Sequence, residues 1–281
     1  MSPYTFPDTL LESLLHDDAP YGDATTWGLG IGDKTGRITF RARQAQITCC
    51  TEEAARMGAL RSLHLDGPIV ASGTPVEAGT LLLSLSGRAA DLHCAWKTAQ
   101  TLMEYASGVA SATAELVAAA RRGNPDIAVA CTRKQLPGTK AMSVKAILAG
   151  GAVPHRLGLS ETLLVFAEHR AFLEDETPTD TIARLHRHWP ERQVVVEVGN
   201  AADAEIWIDA GADVIQLEKC PPETVNTVVR HATSRTVKIA AAGGVNIANA
   251  EAYALAGAHL LVTSAPYSAA PKDVAVSLAP A

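Results

Sequence analysis

The sequence predicts an α/β protein: a parallel sheet covered by helices and curled towards a barrel, preceded by a smaller α+β domain. Three observations carry this. Apolar, β-branched runs recur at roughly twenty-residue spacing in the second half, apolar on both faces as strands covered on both sides require. Helical stretches lie between these runs. The earlier part of the chain lacks that rhythm and alternates polar with apolar instead.

In chain order, Leu10–His16 and Glu52–Leu60 read as helices, and Gly36–Ala42 (GRITFRA) alternates like an antiparallel strand. Gly73–Leu85 reads as a hairpin turning at Gly79. From Ala90 to Arg121 the chain is Ala-rich and helical, with a break expected at Ser107-Gly108. Ile127–Cys131 (IAVAC) and Leu163–Phe166 (LLVF) open the repeating series. Val194–Val198 (VVVEV) carries Glu197 near its end, and Ala201–Ala210 reads as a helix closed by Gly211. Asp213–Leu217 runs into Glu218-Lys219, after which Pro221-Pro222 opens a helix, proline being suited to the first turn. Val237–Ala242 runs into Gly243-Gly244, and Asn246 reads as the N-cap of a helix through Ala256, stopped by Gly257. His259–Thr263 leads to Ser264. Six such βα units favour a barrel, with an open doubly wound sheet as the alternative. The domain boundary is expected at residue 108, with 1–108 as the α+β domain and 109–265 as the barrel.

Composition narrows the function classes. The chain has 281 residues, 47% of them hydrophobic, enough for one large domain or two unequal ones. A net charge of −6 argues against a broad nucleic-acid-binding face but leaves room for a local basic pocket. The five cysteines show neither a C-x-x-C pair nor zinc spacing, which fits a reducing cytoplasm. No run approaches the ~18–20 apolar residues of a membrane span, and the N-terminal MSPYTFPDTL lacks the basic start and apolar run of a signal peptide. A cytoplasmic protein without membrane or nucleic-acid partners is expected.

In a parallel barrel the functional groups sit just past the carboxyl ends of the strands. Those positions here hold Arg133-Lys134, Glu168-His169, Glu197, Glu218-Lys219, Gly243-Gly244 and Ser264. Any one of these could be an ordinary polar loop; the grouping is more informative. Arg133 and Lys134 lie in the densest cationic segment, and His155-Arg156 follow about twenty residues later in a glycine-framed loop. A planar guanidinium beside an ammonium suits a carboxylate or phosphate. Gly243-Gly244, between a strand and a helix start, suits a phosphate on backbone N–H groups, with Ser264 as a further donor. Glu197 and Glu218 suit ribose hydroxyls, or Mg²⁺ held through water beside a diphosphate.

These segments resemble the quinolinate phosphoribosyltransferase family over nearly the whole chain. The resemblance rests on Gly22-Asp23-Ala-Thr-Thr26, Ser107-Gly-Val-Ala110, Thr132-Arg-Lys134, Pro137-Gly138, Lys145-Ala-Ile, Gly150-Gly151, His155-Arg156, Glu197, Gly243-Gly244 and Val262-Thr-Ser264. It is closest to the ModD branch, which accompanies molybdenum transport, through Ala95-Trp-Lys97, Gly-Thr-Lys140, the stretch from Gly151 to Glu161 and Ala265-Pro-Tyr267. The resemblance implies an incomplete parallel α/β barrel of the type II phosphoribosyltransferase kind. It also implies an N-terminal α+β sandwich domain that the tail 266–281 joins. The implied reaction, a step of NAD biosynthesis, converts phosphoribosyl pyrophosphate and quinolinate to nicotinate mononucleotide, CO₂ and pyrophosphate, with Mg²⁺. By the same resemblance Lys134, Glu197 and Glu218 are catalytic. Lys97, Arg133, Lys134, His155, Arg156, Phe166 and His169 bind substrate. Gly243, Gly244 and Ser264 bind the 5′-phosphate, and Glu197 and Glu218 face the metal. Lys97 stands where the family carries an arginine that reaches a partner subunit's site, which implies a homodimer or larger assembly.

The departures from the family pattern fall mostly on the acceptor side. Phe166 replaces a lysine, Glu168 adds a negative charge, Lys97 lacks the guanidinium fork, Glu218 replaces an Asp and Ala242 replaces a Ser. Each lost or weakened cation costs on the order of 1–3 kcal/mol of binding to a buried anion. The expectation is a phosphoribosyltransferase acting on quinolinate or a related aromatic acid. The alternative is a non-catalytic protein of this fold that holds an oxyanion or nucleotide in molybdenum handling.

Overall fold

The computed structural model describes residues 4–173 and 175–281. The chain begins with α1 (Asp8–Asp18), α2 (Ala24–Gly28), β1 (Thr35–Ala42), β2 (Gln46–Ile47), α3 (Thr51–Leu60) and β3 (His64–Leu65). Then come β4 (Pro75–Val76), β5 (Leu81–Arg88), the long α4 (Ala89–Gly123), β6 (Ala128–Cys131), α5 (Lys140–Ala149) and β7 (Val153–Pro154). They are followed by β8 (Leu163–Val165), α6 (Ala167–Arg170), α7 (Pro178–His188), β9 (Val194–Val198) and α8 (Ala201–Asp209). The series ends with β10 (Val214–Glu218), α9 (Pro222–His231), β11 (Lys238–Ala242), α10 (Ala250–Leu255), β12 (Leu260–Thr263) and β13 (Val274–Pro280). Contacts divide the chain into two compact units. One comprises the chain up to Ala114 with Leu136–Gly151 and Tyr267–Ala281; the other comprises Glu115–Gln135 and Ala152–Pro266. Residues 136–151, assigned from the sequence to the barrel, thus group with the first unit.

The first unit is built on an antiparallel sheet of order β13-β1-β5-β3. The alternation of β1 puts Ile38, Phe40 and Ala42 inside while their neighbours face outward, as a half-buried strand requires. The hairpin expected over Gly73–Leu85 is not one: β4 pairs with β2 in a separate two-stranded sheet, and β5 pairs with β1. Gly79, at φ +84°, turns the chain between them. Nor does Ser107-Gly108 break α4. The buried Ser107 hydroxyl accepts the amide of Cys49 at 3.0 Å, and a Cβ on Gly108 would collide with the carbonyl oxygen of Ala270. Those two residues serve close packing, which a helix tolerates better than the sequence suggested.

The second unit holds a parallel seven-stranded sheet of order β7-β6-β12-β11-β10-β9-β8. Its strands are buried on both faces because helices cover the outside and the sheet curls upon itself. Leu164 of β8, Val195 of β9, Val214 of β10, Ala240 and Ala242 of β11 and Val262 of β12 form one inner cluster, with Phe166 and Leu260 packed against it. The edge strands β7 and β8 do not pair with each other. Just beyond their ends, the Arg156 guanidinium lies 5.7 Å from the centre of the Phe166 ring. The result is an incomplete barrel whose open seam is bridged at the rim by a cation–π contact. α10 is assigned only from Ala250, yet Asn246 makes the expected N-cap bonds: its Oδ1 accepts the Ala248 amide at 2.9 Å and its carbonyl accepts the Ala250 amide at 2.9 Å. Asn246 also ties down the glycine loop. No helix among the described residues is long and apolar enough to cross a membrane.

Candidate active site

The carboxyl ends of all seven parallel strands converge on one cavity of about 730 Å³. Arg133 and Lys134 line it after β6, His155 and Arg156 after β7, Phe166 and Glu168 after β8, and Glu197 from β9. Gln216 and Glu218 come from β10, Gly243 and Gly244 follow β11, and Ser264 follows β12. The sheet order therefore puts the cations on β6 and β7 at one edge, the carboxylates on β8 to β10 at the other, and the glycine and serine loops between. Two expected residues lie elsewhere. Lys97 is exposed on α4, 3.2 Å from Gln100 Oε1, and lines a cavity of the first unit. His169 is absent from the cavity lining; its Nδ1 accepts the amide of Phe166 at 3.0 Å and its ring stacks on Phe166 at 5.7 Å, supporting that side chain from outside.

Local chemistry explains how each wall is held. The backbone of β6 continues into the site, with the Thr132 amide donating to Thr263 O at 2.8 Å and the Lys134 amide to Thr132 Oγ1 at 3.2 Å. His155 is registered by its amide bond to Cys131 O at 2.9 Å. Burial, then the charges of Arg156 and Arg133, hold the His155 imidazole below its ordinary pKa, so it is neutral at physiological pH. Burial and Arg133 also lower Arg156, while Glu161 opposes this. Among the described residues neither of these crowded guanidiniums forms a salt bridge, which leaves their wall room for an anion. Cys131 beneath them is buried, and burial pushes its thiol up to about 12, so it packs rather than reacts.

On the opposite wall, burial raises the pKa of Glu197; the hydrogen bond from Gln216 opposes the rise, Glu218 and Glu168 add to it, and Lys134 counters it. Gln216 Nε2 donates to Glu197 Oε2 at 2.6 Å. Arg170, over the Trp207 ring at 5.8 Å, donates to the Glu197 carbonyl at 2.7 Å and fixes the end of β9. Crowded carboxylates of this kind fit a divalent cation. Among the described residues no group of three or more His, Cys, Asp or Glu could hold a metal by itself. Glu197 and Glu218 could share a hydrated ion.

The loop between these walls needs its glycines. Gly243 sits at φ +79°, and a Cβ there would stand 2.7 Å from the Glu218 carboxylate and 2.6 Å from Lys219 Cγ. Gly244, at φ +90°, has open space where its Cβ would be. The Asn246 and Asn249 side-chain amides both donate to the Gly244 carbonyl at 3.0 Å. The Thr263 hydroxyl donates to Val245 O at 2.6 Å and accepts from the Ala265 amide at 3.0 Å, locking the β11 and β12 loops together. Among the described residues, no acceptor pairs with the amides of Gly244 and Ser264. Rigid, unpaired amides beside glycine make an anion cradle. Arg170 and Gln216 escaped the sequence reading, which gave Asn246 and Thr263 no place in the site. Gln216 could have been found, because it shares a strand face with Glu218 two residues on.

A parallel barrel with cations, carboxylates and an amide cradle at one mouth is the architecture of a phosphoribosyltransferase. Residues 109–277 match the C-terminal domain of quinolinate phosphoribosyl transferase, and residues 23–107 match its N-terminal domain. The chain belongs to that family. It is 47% identical to ModD of Rhodobacter capsulatus, covering 88% of this chain and 95% of that one. It is 40% identical to ModD of Pasteurella multocida, covering 96% and 97%. The fold matches NadC from Streptococcus pyogenes with a TM-score of 0.89 at 23% identity, covering 98% and 96%.

Proposed function

We propose that this chain transfers the phosphoribosyl group of phosphoribosyl pyrophosphate to a small aromatic acid and releases pyrophosphate. The observation that supports this most is the division of a single cavity into a cationic wall, a carboxylate wall and an amide cradle. The 5′-phosphate fits Gly243, Gly244 and Ser264, and the ribose hydroxyls fit Glu197 and Glu218. The acceptor's carboxylate fits Arg133 and Arg156, with His155 as a neutral partner. The ring nitrogen forms the new bond to the anomeric carbon as the bond to diphosphate breaks. With quinolinate, the adjacent carboxylate then leaves as CO₂ and its electron pair takes up a proton. Lys134 stabilises the charge that grows on the departing diphosphate. Glu197 and Glu218 would hold Mg²⁺ through water, and the ion supplies further charge neutralisation there. No side-chain nucleophile is required. Lys97 would complete the site of a second copy in a homodimer.

Pyrophosphate release tests this reading, with purified protein, phosphoribosyl pyrophosphate, Mg²⁺ and a panel of pyridine carboxylic acids. Turnover with quinolinate supports the carboxylating reaction, and turnover with other acids alone supports a changed acceptor. The Arg156–Phe166 contact favours a second reading, a non-catalytic oxyanion holder, because it engages one of the two guanidiniums. Tight molybdate binding without pyrophosphate release would support that reading and overturn the first.

A further inference from the structure

The glycine loop is polar in one direction. Four carbonyls between Ala242 and Asn246 accept hydrogen bonds: Ala242 from the Lys219 amide at 2.8 Å, Gly244 from two asparagine side chains, Val245 from the Thr263 hydroxyl at 2.6 Å and Asn246 from the Ala250 amide at 2.9 Å. The amide of Gly244, an exposed residue of the cavity wall, has no acceptor among the described residues. The Gly244 carbonyl is the most firmly held of the four. Asn246 and Asn249 each donate to it through Nδ2 at 3.0 Å, so both of its lone pairs are taken. The other end of each side-chain amide fixes its orientation, because Asn246 Oδ1 accepts the Ala248 amide at 2.9 Å and Asn249 Oδ1 accepts the Asn246 amide at 2.8 Å. Those two bonds are a reciprocal helix cap, which a serine followed three residues later by a glutamate would make equally well. Capping therefore accounts for the oxygen ends of the pair and not for the two nitrogen ends aimed back at one carbonyl.

We infer that Asn246 and Asn249 are positioning residues for the ligand's phosphate: by saturating and anchoring the Gly244 carbonyl, they leave the loop with N–H groups to offer an anion. Without them the peptide that follows Gly244, at φ +90° and with no side chain to restrain it, is free to rotate and turn its carbonyl towards the cavity. A carbonyl oxygen facing a phosphate repels it, whereas a rigid amide attracts it at no cost of reorganisation. This inference rests on the proposed seat of the 5′-phosphate at Gly243, Gly244 and Ser264, and names what keeps that seat in shape. The two side chains act in parallel on one oxygen, so either should hold it when the other is removed.

Calorimetric binding of ribose 5-phosphate to the full chain tests this, comparing Asn246→Ser, Asn249→Ala and the double variant. Serine keeps the cap and lacks the amide donor. Each single variant should weaken binding by about threefold or less and the double variant by about tenfold or more, a non-additivity that two independent contacts do not give. A pyridine carboxylic acid on the guanidinium wall should keep its affinity within about twofold in the double variant. If the pair only caps the helix, Tm falls while the folded double variant binds ribose 5-phosphate as the native protein does, and the inference is overturned. Equal loss of both ligands also overturns it, because that reports a deformed cavity. Should the double variant not fold, Asn249→Ser takes the place of Asn249→Ala and returns an acceptor to the Asn246 amide. Failure of the native protein to bind ribose 5-phosphate sinks the proposed phosphate seat and this inference with it, whereas binding that the double variant retains sinks the inference alone.

Discussion

At the residue scale, the cationic wall makes the sharpest demand. Arg133 is exposed at the cavity mouth, so Arg133→Ala should leave the circular dichroism spectrum intact while lowering kcat/KM by about 100-fold or more. Retained turnover would show that the anion binds elsewhere. The two displaced pKa values act in opposite directions on stability. Burial and two guanidiniums hold His155 below its ordinary value of 6.5, so the folded state resists its protonation. Its contribution is present at neutral pH and is lost as pH falls from the ordinary value through the lowered one. Burial, with the Gln216 hydrogen bond opposing it and Glu218 and Glu168 reinforcing it, raises Glu197 above 4.5. Its ionisation therefore costs stability as pH rises through that raised value. In thermal melts Glu197→Gln should raise Tm at pH 7 but not at pH 4, whereas His155→Gln should flatten the acid-side decline; both should reduce pyrophosphate release. Much of this site was legible beforehand, because residues following apolar strands face the mouth of a parallel barrel. Gln216 was passed over although its spacing from Glu218 puts both on one strand face, because a position inside an apolar run is readily taken as packing until its neighbours across the sheet are known.

At the element scale, the strand series was legible because strands covered on both faces must be continuously apolar. The exceptions are instructive. β7 has only two residues, Val153 and Pro154, too few for any periodicity, so the seventh strand could not be seen. The arms around Gly79 part company because their partners, β1 and β2, are chosen by long-range pairing. Another long-range device ties α5 to α3. Lys145, 1% exposed, donates to Glu53 Oε2 at 2.6 Å and to Glu52 Oε2 at 3.1 Å, with Glu53 itself 3% exposed. Burial opposes the ammonium, but the hydrogen bond and charge of Glu53 outweigh it and raise its pKa. Lys145→Met should therefore destabilise by about 3–5 kcal/mol in urea unfolding, because it strands a buried carboxylate. Lys145→Met with Glu53→Leu should recover most of that loss. Full destabilisation in the double variant would mean that packing, not charge, is what Lys145 supplies.

At the scale of the whole molecule, the placement of Lys97 bears on the proposed homodimer. It is exposed on α4 and lines a cavity of the first unit, whereas Arg133 lines the barrel cavity of the second. The first unit also exposes Tyr21 at 100%, Trp27 at 87% and Leu29 at 66% within nine residues of chain. In the proposed homodimer, Lys97 of one copy would serve the cavity of the other. Lys97→Ala and Arg133→Ala would then damage different halves of one composite site. Each variant alone should be nearly inactive. After subunit exchange, half of the dimers in an equal mixture are mixed, and each has one intact site, so about one quarter of the native rate should return. Sedimentation should report a dimer for both variants and for the mixture. Recovery of that size cannot arise from sites built within single chains, whereas a mixture that stays inactive after exchange has been verified would assign Lys97 to its own subunit.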